Sequence, residues 1–296
     1  MKIIVTGITG FIGEHLGEYL KQKYELVGIT RKLHDSDVKE DILYKESDYS
    51  VQSLKDIFQG ADAIINLASQ KAGNQEQEGI QGYVSSIALL ENVIMAANDC
   101  NIKNIVNISS RCVYGTYTDS SFKETEEIHP INKYGVMKAW GETLSEYYNR
   151  TAGMKIKNLR LSQVVGFPMK DKYMFSTFLE KTRENEALDI FGQGTGKRDY
   201  IYIKDVCTAI ERALTHSDQC GIYNIGSGVA VSNKEVAEMM IDIFESDSKI
   251  NIKEDSPKDT SRIVLNVEKA EKELEFTCAY GMSDILYDIK EQIKRS

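Results

Sequence analysis

The segment Tyr134-Gly135-Val136-Met137-Lys138 sets a phenol and an ammonium group four residues apart. On a helix that spacing puts both side chains on one face, where they can reach a shared ligand. A free tyrosine ionises near pH 10, so a phenolate at neutral pH costs about 4 kcal/mol unless positive charge nearby offsets it. Lys138 supplies one such charge. Upstream, Ser109-Ser110 closes the apolar run Ile105 to Ile108, and the Ser110 hydroxyl can donate to the oxygen of a reacting alcohol or ketone. Tyr-x-x-x-Lys also occurs in many helices that do no chemistry, so the pair gains meaning only from its company.

That company includes a glycine loop at the start of the chain. Thr6-Gly7-Ile8-Thr9-Gly10-Phe11-Ile12-Gly13 places glycines between an apolar run and a helix-like segment. Glycine there allows a tight turn, close approach of backbone to a pyrophosphate, and close packing of helix on strand. The free N–H groups of the helix start then face negative charge, aided by the helix dipole. Gly7, Thr9, Gly10, Phe11, Ile12 and Gly13 therefore form the candidate phosphate cradle of a dinucleotide. The usual pattern adds an acidic residue about 20 positions on to hold the ribose 2′-hydroxyl. This chain has Thr30-Arg31-Lys32 after its second apolar run. A cation suits a 2′-phosphate, so NAD and NADP both stay open and Arg31 leans toward NADP; stacking on adenine and plain exposure are its other readings. Asp48, with Tyr49 beside it and a predicted helix over Val51 to Phe58 just ahead, either accepts from the adenine amino group or caps that helix.

Ile3 to Val5, Leu26 to Ile29, Ala63 to Leu67 and Ile105 to Ile108 read as strands, and Phe11 to Leu20, Val84 to Ala97 and Lys138 to Tyr148 have helical spacing. Strands alternating with helices imply a parallel sheet covered on both faces, because parallel strands need crossovers and those lie on the faces. The expected fold is a doubly wound, Rossmann-like α/β sheet. Ser110 then stands at the carboxyl end of a strand, where ligands sit in this architecture. After about Gly166 the rhythm weakens. Phe175 to Arg183, Asp205 to Ala213, Asn233 to Phe244, Val267 to Leu274 and Met282 to Ile293 read as helices, and Tyr200 to Ile203 and Ile222 to Ile225 as strands. A glycine-rich loop follows Phe191, and Ser246 to Ser261 reads as a polar surface connection. The expected division is a dinucleotide-binding domain over residues 1–165 and a smaller α/β substrate cap over 166–296, with parts of 197–225 returning to the first.

Composition narrows the partners. Of 296 residues, 42% are hydrophobic and 27% charged, and 36 Lys and Arg against 45 Asp and Glu give a net charge of −9. A chain of this size and balance builds a large core. An acidic protein lacks the concentrated positive field that nucleic acid or an anionic membrane needs, so any phosphate must be held locally. Five scattered cysteines without a Cys-x-x-Cys pair, and no long apolar stretch, point to a reduced, cytoplasmic setting. His15, His34, His129 and His216 show no metal-ligand spacing, and no metal is expected.

The order of these motifs resembles the short-chain dehydrogenase/reductase superfamily, and in detail its extended branch, the NAD-dependent epimerase/dehydratase family. The matching residues are the glycine loop, Asn66-Leu67-Ala68, Ser109-Ser110-x-x-Val113-Tyr114-Gly115 and Pro130-x-x-x-Tyr134-x-x-x-Lys138. Leu159-Arg160-Leu161-Ser162 with Gly166, Arg198-Asp199-Tyr200 through Asp205-Val206, and Tyr223-Asn224-Ile225-Gly226 extend the likeness along nearly the whole chain. The resemblance implies a nicotinamide cofactor in the first domain, with Leu67, Ala68, Ser69, Tyr134 and Lys138 in its binding set, and a nucleotide-sugar substrate under the cap. Tyr134 would be the acid/base, Lys138 would hold the ribose and tune Tyr134, and Ser110 would bind the same substrate oxygen. Arg111, Gln163, Arg198 and Arg262 become candidate substrate contacts, with a structural ion pair to Asp199 or Asp205 as the other reading of Arg198. The family's homodimer implies a bundle of the helices that carry Leu89, Val93, Trp140 and Leu144.

Departures from the family sharpen the reading. Its dehydratases carry Asp-Glu directly after the catalytic hydroxyl residue, whereas this chain has Arg111-Cys112, so a 4,6-dehydratase is disfavoured. Ser86 and Gln163 stand where the family often has asparagine. With no paired histidine in evidence, Cys112 reads as a strand-end thiol rather than a nucleophile. Two mechanisms stay open. In a 4-epimerase, phenolate Tyr134 takes the 4-hydroxyl proton as hydride leaves C4, and the ketone turns over to regain hydride on its other face. In a reductase, NADPH reduces a nucleotide 4-ketosugar and Tyr134 donates the proton. Arg31 and the modest length favour the reductase, and the Ser-x-x-Val-Tyr-Gly signature favours the epimerase, which is the preferred reading. A non-catalytic nucleotide-binding module is a third reading, opposed by the intact Ser110, Tyr134 and Lys138.

Overall fold

Alternating apolar runs and amphipathic segments fold, in a computed structural model, into a parallel sheet wrapped by helices. The structure describes residues 1–34, 38–69, 80–116, 120–169, 173–253, 256 and 259–295. The main sheet comprises β1 (Lys2–Thr6), β2 (Glu25–Thr30), β3 (Ile42–Glu46), β4 (Ala63–Asn66), β5 (Asn104–Ser110), β6 (Lys155–Leu161) and β10 (Gly221–Ile225). Their order is β10-β6-β5-β4-β1-β2-β3, and every neighbouring pair is parallel. Side chains alternate between faces along a strand, so Ile3 and Val5 enter one core and Ile4 the other. Helices α1 (Phe11–Leu20) and α6 (Ile203–Thr215) cover the first face through Leu16, Leu20, Val206 and Ile210. Helices α2 (Val51–Phe58), α3 (Gln81–Asp99) and α4 (Lys133–Ala152) cover the second through Leu54, Phe58, Leu89, Val93 and Leu144. This is the doubly wound sheet that the residue pattern implies.

The second half builds smaller sheets against the first. β9 (Lys197–Tyr202) pairs with β11 (Ala230–Ser232), β13 (Arg262–Ile263) and β7 (Gln163–Val165), and β8 (Leu188–Phe191) pairs with β12 (Ile250–Lys253). Helices α5 (Met174–Arg183), α7 (Asn233–Phe244), α8 (Glu268–Leu274) and α9 (Met282–Arg295) pack around them. The chain re-enters the main sheet at β10, beside β6.

Strands β3, β6, β7, β8, β11, β12 and β13 are absent from the sequence reading, and two of them show why. β6 carries Lys157, Asn158 and Arg160, all buried, so its alternation of polar and apolar residues hides a core strand. β12 lies inside the stretch read as a polar connection, its residues intermediate or exposed and tied to β8 by backbone pairing.

A row of polar side chains crosses the sheet from the carboxyl ends of β1 and β4 to the middle of β5 and β6. Thr6 Oγ1 donates to Asn66 Oδ1 (2.7 Å), Asn66 Nδ2 to Asn107 Oδ1 (2.9 Å), and Asn107 Nδ2 to Asn158 Oδ1 (2.7 Å). These four residues are in register on β1, β4, β5 and β6. Partnering one another, they avoid most of the cost of a buried amide. Thr6 Oγ1 also accepts from Ala68 N (3.2 Å), fixing the exit of β4 beside the glycine loop.

Candidate active site

The loop from Gly7 to Gly10 joins β1 to α1, whose N-cap is Gly10. At Gly13 a Cβ would fall 2.4 Å from Gly7 O and 2.5 Å from Ile8 O, so only glycine lets the helix settle on the loop. The first turn leaves backbone N–H groups without partners inside the helix, the arrangement that receives an anion. Beside it lies a cavity of about 230 Å³ lined by Gly7, Thr30, Arg31, Tyr49, Ala68, Ser69, Ser86 and Leu89. Tyr49 is buried with its backbone in the left-handed region (φ 61°) and its hydroxyl donating to Ile29 O (3.3 Å). The exposed Arg31 guanidinium stands 5.9 Å from the centre of that ring. A glycine-lined anion cradle, an aromatic wall and a cation at the rim fit the adenosine and pyrophosphate of a dinucleotide. Asp48 is exposed, and its Oδ1 accepts from Ser50 N (2.8 Å). The cap of α2 is Ser50 itself, one of whose neighbours in the turn is Asp48, so the helix-cap reading of Asp48 is corrected by two residues.

The three candidate catalytic residues come together at the end of β5. Ser110 Oγ accepts from Cys112 N (3.2 Å) and so caps a 3₁₀ turn over Arg111–Val113. Asn132 caps α4 by accepting from Gly135 N (2.8 Å), which starts the helix one residue before Tyr134. Tyr134 lies against Ser110 and Cys112 at this junction. Burial pushes its phenol well above the ordinary tyrosine range, Cys112 adds to the rise, and a hydrogen bond with Ser110 opposes it. The chain's own groups thus leave Tyr134 a neutral phenol at pH 7. Lys138, one turn on and buried, donates to Ile108 O (2.8 Å) and Ser69 Oγ (3.3 Å), with Nζ 5.6 Å from the centre of the Tyr134 ring. Burial pulls its ionisation down to about 8, against the pull of Glu142 and Cys112.

Tyr83 of α3 was not singled out by sequence. It is 1% exposed, its hydroxyl has no partner among the described residues, and its charge would bear on Tyr134. Nothing in a lone helical tyrosine signals this; only packing of α3 against α4 reveals it.

Of the candidate substrate residues, Arg111 Nη2 donates to Gln163 Oε1 (3.0 Å), and Gln163 pairs in register with Tyr200. Burial pushes the Tyr200 phenol up to about 12, while Arg198 and Arg111 pull the other way. Arg111, Gln163 and Arg198 therefore share one neighbourhood. Arg198 Nη2 donates to Asp259 Oδ2 (2.8 Å) and its Nη1 to Ser261 Oγ. Its ionic partner is thus Asp259, not Asp199 or Asp205, which accept from Ser227, Gly228 and Leu265 and from Cys278, Ala279 and Tyr280 respectively. Arg262, on β13, reaches the Ser120 carbonyl. Among the described residues no group of three or more His, Cys, Asp or Glu could hold a metal ion, and no helix is long and apolar enough to cross a membrane.

A doubly wound sheet with a glycine loop at its first crossover and a Ser, Tyr and Lys cluster at the end of its fifth strand defines a dinucleotide-dependent enzyme of the short-chain dehydrogenase/reductase type. Residues 3–226 match the NAD dependent epimerase/dehydratase family, and the chain belongs to it. It is similar to UDP-N-acetylglucosamine 4-epimerase from Bacillus cereus, at 29% identity and a TM-score of 0.89, covering 99% of this chain and 96% of that one. UDP-glucuronic acid 4-epimerase from Bacillus cereus, solved with UDP-glucuronic acid and NAD, matches at 25% identity and a TM-score of 0.86, over 99% and 100% of the two chains. A dTDP-glucose 4,6-dehydratase of Streptomyces niveus is 24% identical over 98% of this chain and 92% of its own. The protein is accordingly an enzyme of the NAD-dependent nucleotide-sugar epimerase/dehydratase class. NAD is the cofactor of that family, and the lean of Arg31 toward NADP finds no support in it.

Proposed function

We propose that this protein is a nucleotide-sugar 4-epimerase. The observation that carries the reading is the junction of Ser110, Tyr134 and Lys138 beside the glycine-loop cavity, with Arg111-Cys112 where a dehydratase has Asp-Glu. Gly7 to Gly13, Arg31, Tyr49, Leu67 to Ser69 and Lys138 would hold NAD, with residues 1–165 serving the cofactor and 166–296 mainly the substrate. Bound NAD supplies a hydride acceptor, and later a donor, at the sugar's C4. Tyr134 takes the proton of the 4-hydroxyl and returns it once the ketone has turned over. Ser110 donates to that same oxygen, holding it against Tyr134. Lys138 binds the cofactor's ribose hydroxyls and steadies the phenolate through its charge. Arg111, Gln163, Arg198 and Arg262 anchor the diphosphate and nucleotide.

A reductase is the second reading, favoured by the exposed Arg31 at the cavity rim. Nucleotide-sugar turnover without added NAD(P)H supports the epimerase; stoichiometric consumption of reduced cofactor overturns it. We also assign a homodimer through α3 and α4. Leu89 and Val93 belong to the internal core and Leu144 packs on it, so they are unavailable. Trp140 and Tyr147 on α4, and Val84 and Met95 on α3, are exposed at spacings that put each pair on one helix face. Light scattering at micromolar concentration should report twice the 33.4 kDa chain mass.

A further inference from the structure

Glu142 continues the stripe of Tyr134 and Lys138 along α4 at the same four-residue spacing. Three consecutive residues of β5 meet this stripe in turn. Ile108 O accepts from Lys138, Ser109 Oγ donates to Glu142 Oε1, and Ser110 lies against Tyr134. The Glu142 carboxylate also receives a fork from Arg160 of β6, Nε to Oε1 at 2.9 Å and Nη2 to Oε2 at 2.7 Å. Side-chain exposure is 3% for Arg160 and 4% for Glu142, so both charges are fully withdrawn from water. The remaining arm, Nη1, donates to Tyr114 Oη (2.6 Å), which donates in turn to Asn224 Oδ1 on β10 (2.9 Å). One carboxylate thus ties α4 to β5 and β6, immediately behind the proposed catalytic groups.

We propose that Glu142, held by Arg160 and Ser109, is a positioning residue that fixes the Tyr134 and Lys138 face of α4 against Ser110. A buried ion pair of this kind is poor evidence for stability, since an apolar pair of similar volume often serves as well. Its distinctive consequence is electrostatic. Lys138 faces Tyr134 and Glu142 from its own helix, Ile108 O from β5, Cys112 from the 3₁₀ turn and Ser69 from the loop after β4. Glu142, paired with Arg160, carries the sign of charge that favours the ammonium. Burial works against that ammonium, so the carboxylate offsets part of the desolvation.

The role rests on the reading of Ser110, Tyr134 and Lys138 given above, but its test does not need turnover. The Nζ resonance of Lys138, labelled with ¹⁵N and assigned by its loss in Lys138→Arg, is titrated in the full-length protein. In Glu142→Gln the ionisation of Lys138 falls by about one pH unit, whereas Glu142→Asp keeps it within a few tenths. The double substitution Glu142→Met with Arg160→Met removes both buried charges and guards against misfolding of the single variant; it lowers the ionisation as well. Turnover of Glu142→Gln falls through kcat more than KM, with NAD binding retained. An unmoved Lys138 titration in either folded variant, alongside loss of thermal stability alone, overturns the proposal and leaves the pair a structural brace. If Lys138 moves as stated while the wild type turns over no nucleotide sugar, the epimerase reading fails and the pairing stands.

Discussion

Gly135 faces the Cys112 carbonyl so closely that a Cβ on it would fall 2.1 Å from that oxygen. The first turn of α4 therefore rests directly on the 3₁₀ turn after β5, and this contact brings Tyr134 to Ser110. Gly135→Ala must lift the helix or displace the turn. We expect a loss of about 1–3 kcal/mol in stability, typical of an overpacked site. Turnover should fall by more than the thermal melt alone accounts for, because the displacement acts on the reacting pair. A variant with native melting and native turnover would show that the junction is looser than this contact requires.

Much of the fold was legible because its signals are local. The apolar runs of β1, β2, β4 and β5 and the helical spacing of α1 and α2 each lie within a few residues, and so do the glycine loop and Tyr134-x-x-x-Lys138. β6 was not legible as a strand, because its meaning lies in distant partners. Lys157 Nζ donates to Asn104 Oδ1 on β5, Asn158 accepts from Asn107, and Arg160 pairs with Glu142 on α4. A polar residue reads as surface until those partners are known.

The site divides in the same way. Ser110, Tyr134 and Lys138 follow from motif and spacing, but the ion pair of Arg198 with Asp259 joins residues 61 apart, with α6, β10, β11, α7 and β12 between them, and Tyr83 comes from a different helix. The lean of Arg31 toward NADP was a local inference from one cation, and the family is NAD-dependent.

Tyr134→Phe removes the only group in the proposed mechanism that moves the substrate proton. General acid and base groups of this kind contribute about 10²–10⁴-fold to rate. Turnover should drop by that order while NAD binding, followed by calorimetry or thermal shift, stays native. Retained turnover would remove Tyr134 from the acid/base role.

Lys138 and Lys157 are both buried, and burial brings each down to about 8 from an ordinary value of 10.5. The unfolded chain therefore holds more protons than the folded one between pH 8 and pH 10.5. Stability rises with pH wherever that is so, by up to about 1.4 kcal/mol per pH unit for each group. The thiols of Cys207 and Cys278, which burial pushes up to about 12, oppose this above about pH 8.5, where unfolded thiols ionise, and the buried tyrosines add to the opposition toward pH 10. Urea midpoints should consequently rise from pH 7.5 to about pH 8.5 and level off above it. A flat or falling midpoint over that window would mean that both lysines keep ordinary ionisation in the fold.

Arg198 is held by Asp259 and Ser261 next to the Gly192 to Gly196 loop, so its guanidinium is oriented before any ligand arrives. A charge-assisted hydrogen bond to a diphosphate is worth about 1.5–3 kcal/mol, which corresponds to roughly tenfold or more in affinity. Arg198→Met should raise KM for the nucleotide sugar by that factor, with little change in kcat and none in NAD binding. Asp259→Asn leaves the cation in place but loosens its orientation, and should give a smaller rise in KM. If Arg198→Met lowers thermal stability while KM stays native, the arginine serves the fold through Asp259, and the diphosphate must be held by Arg111 or Arg262.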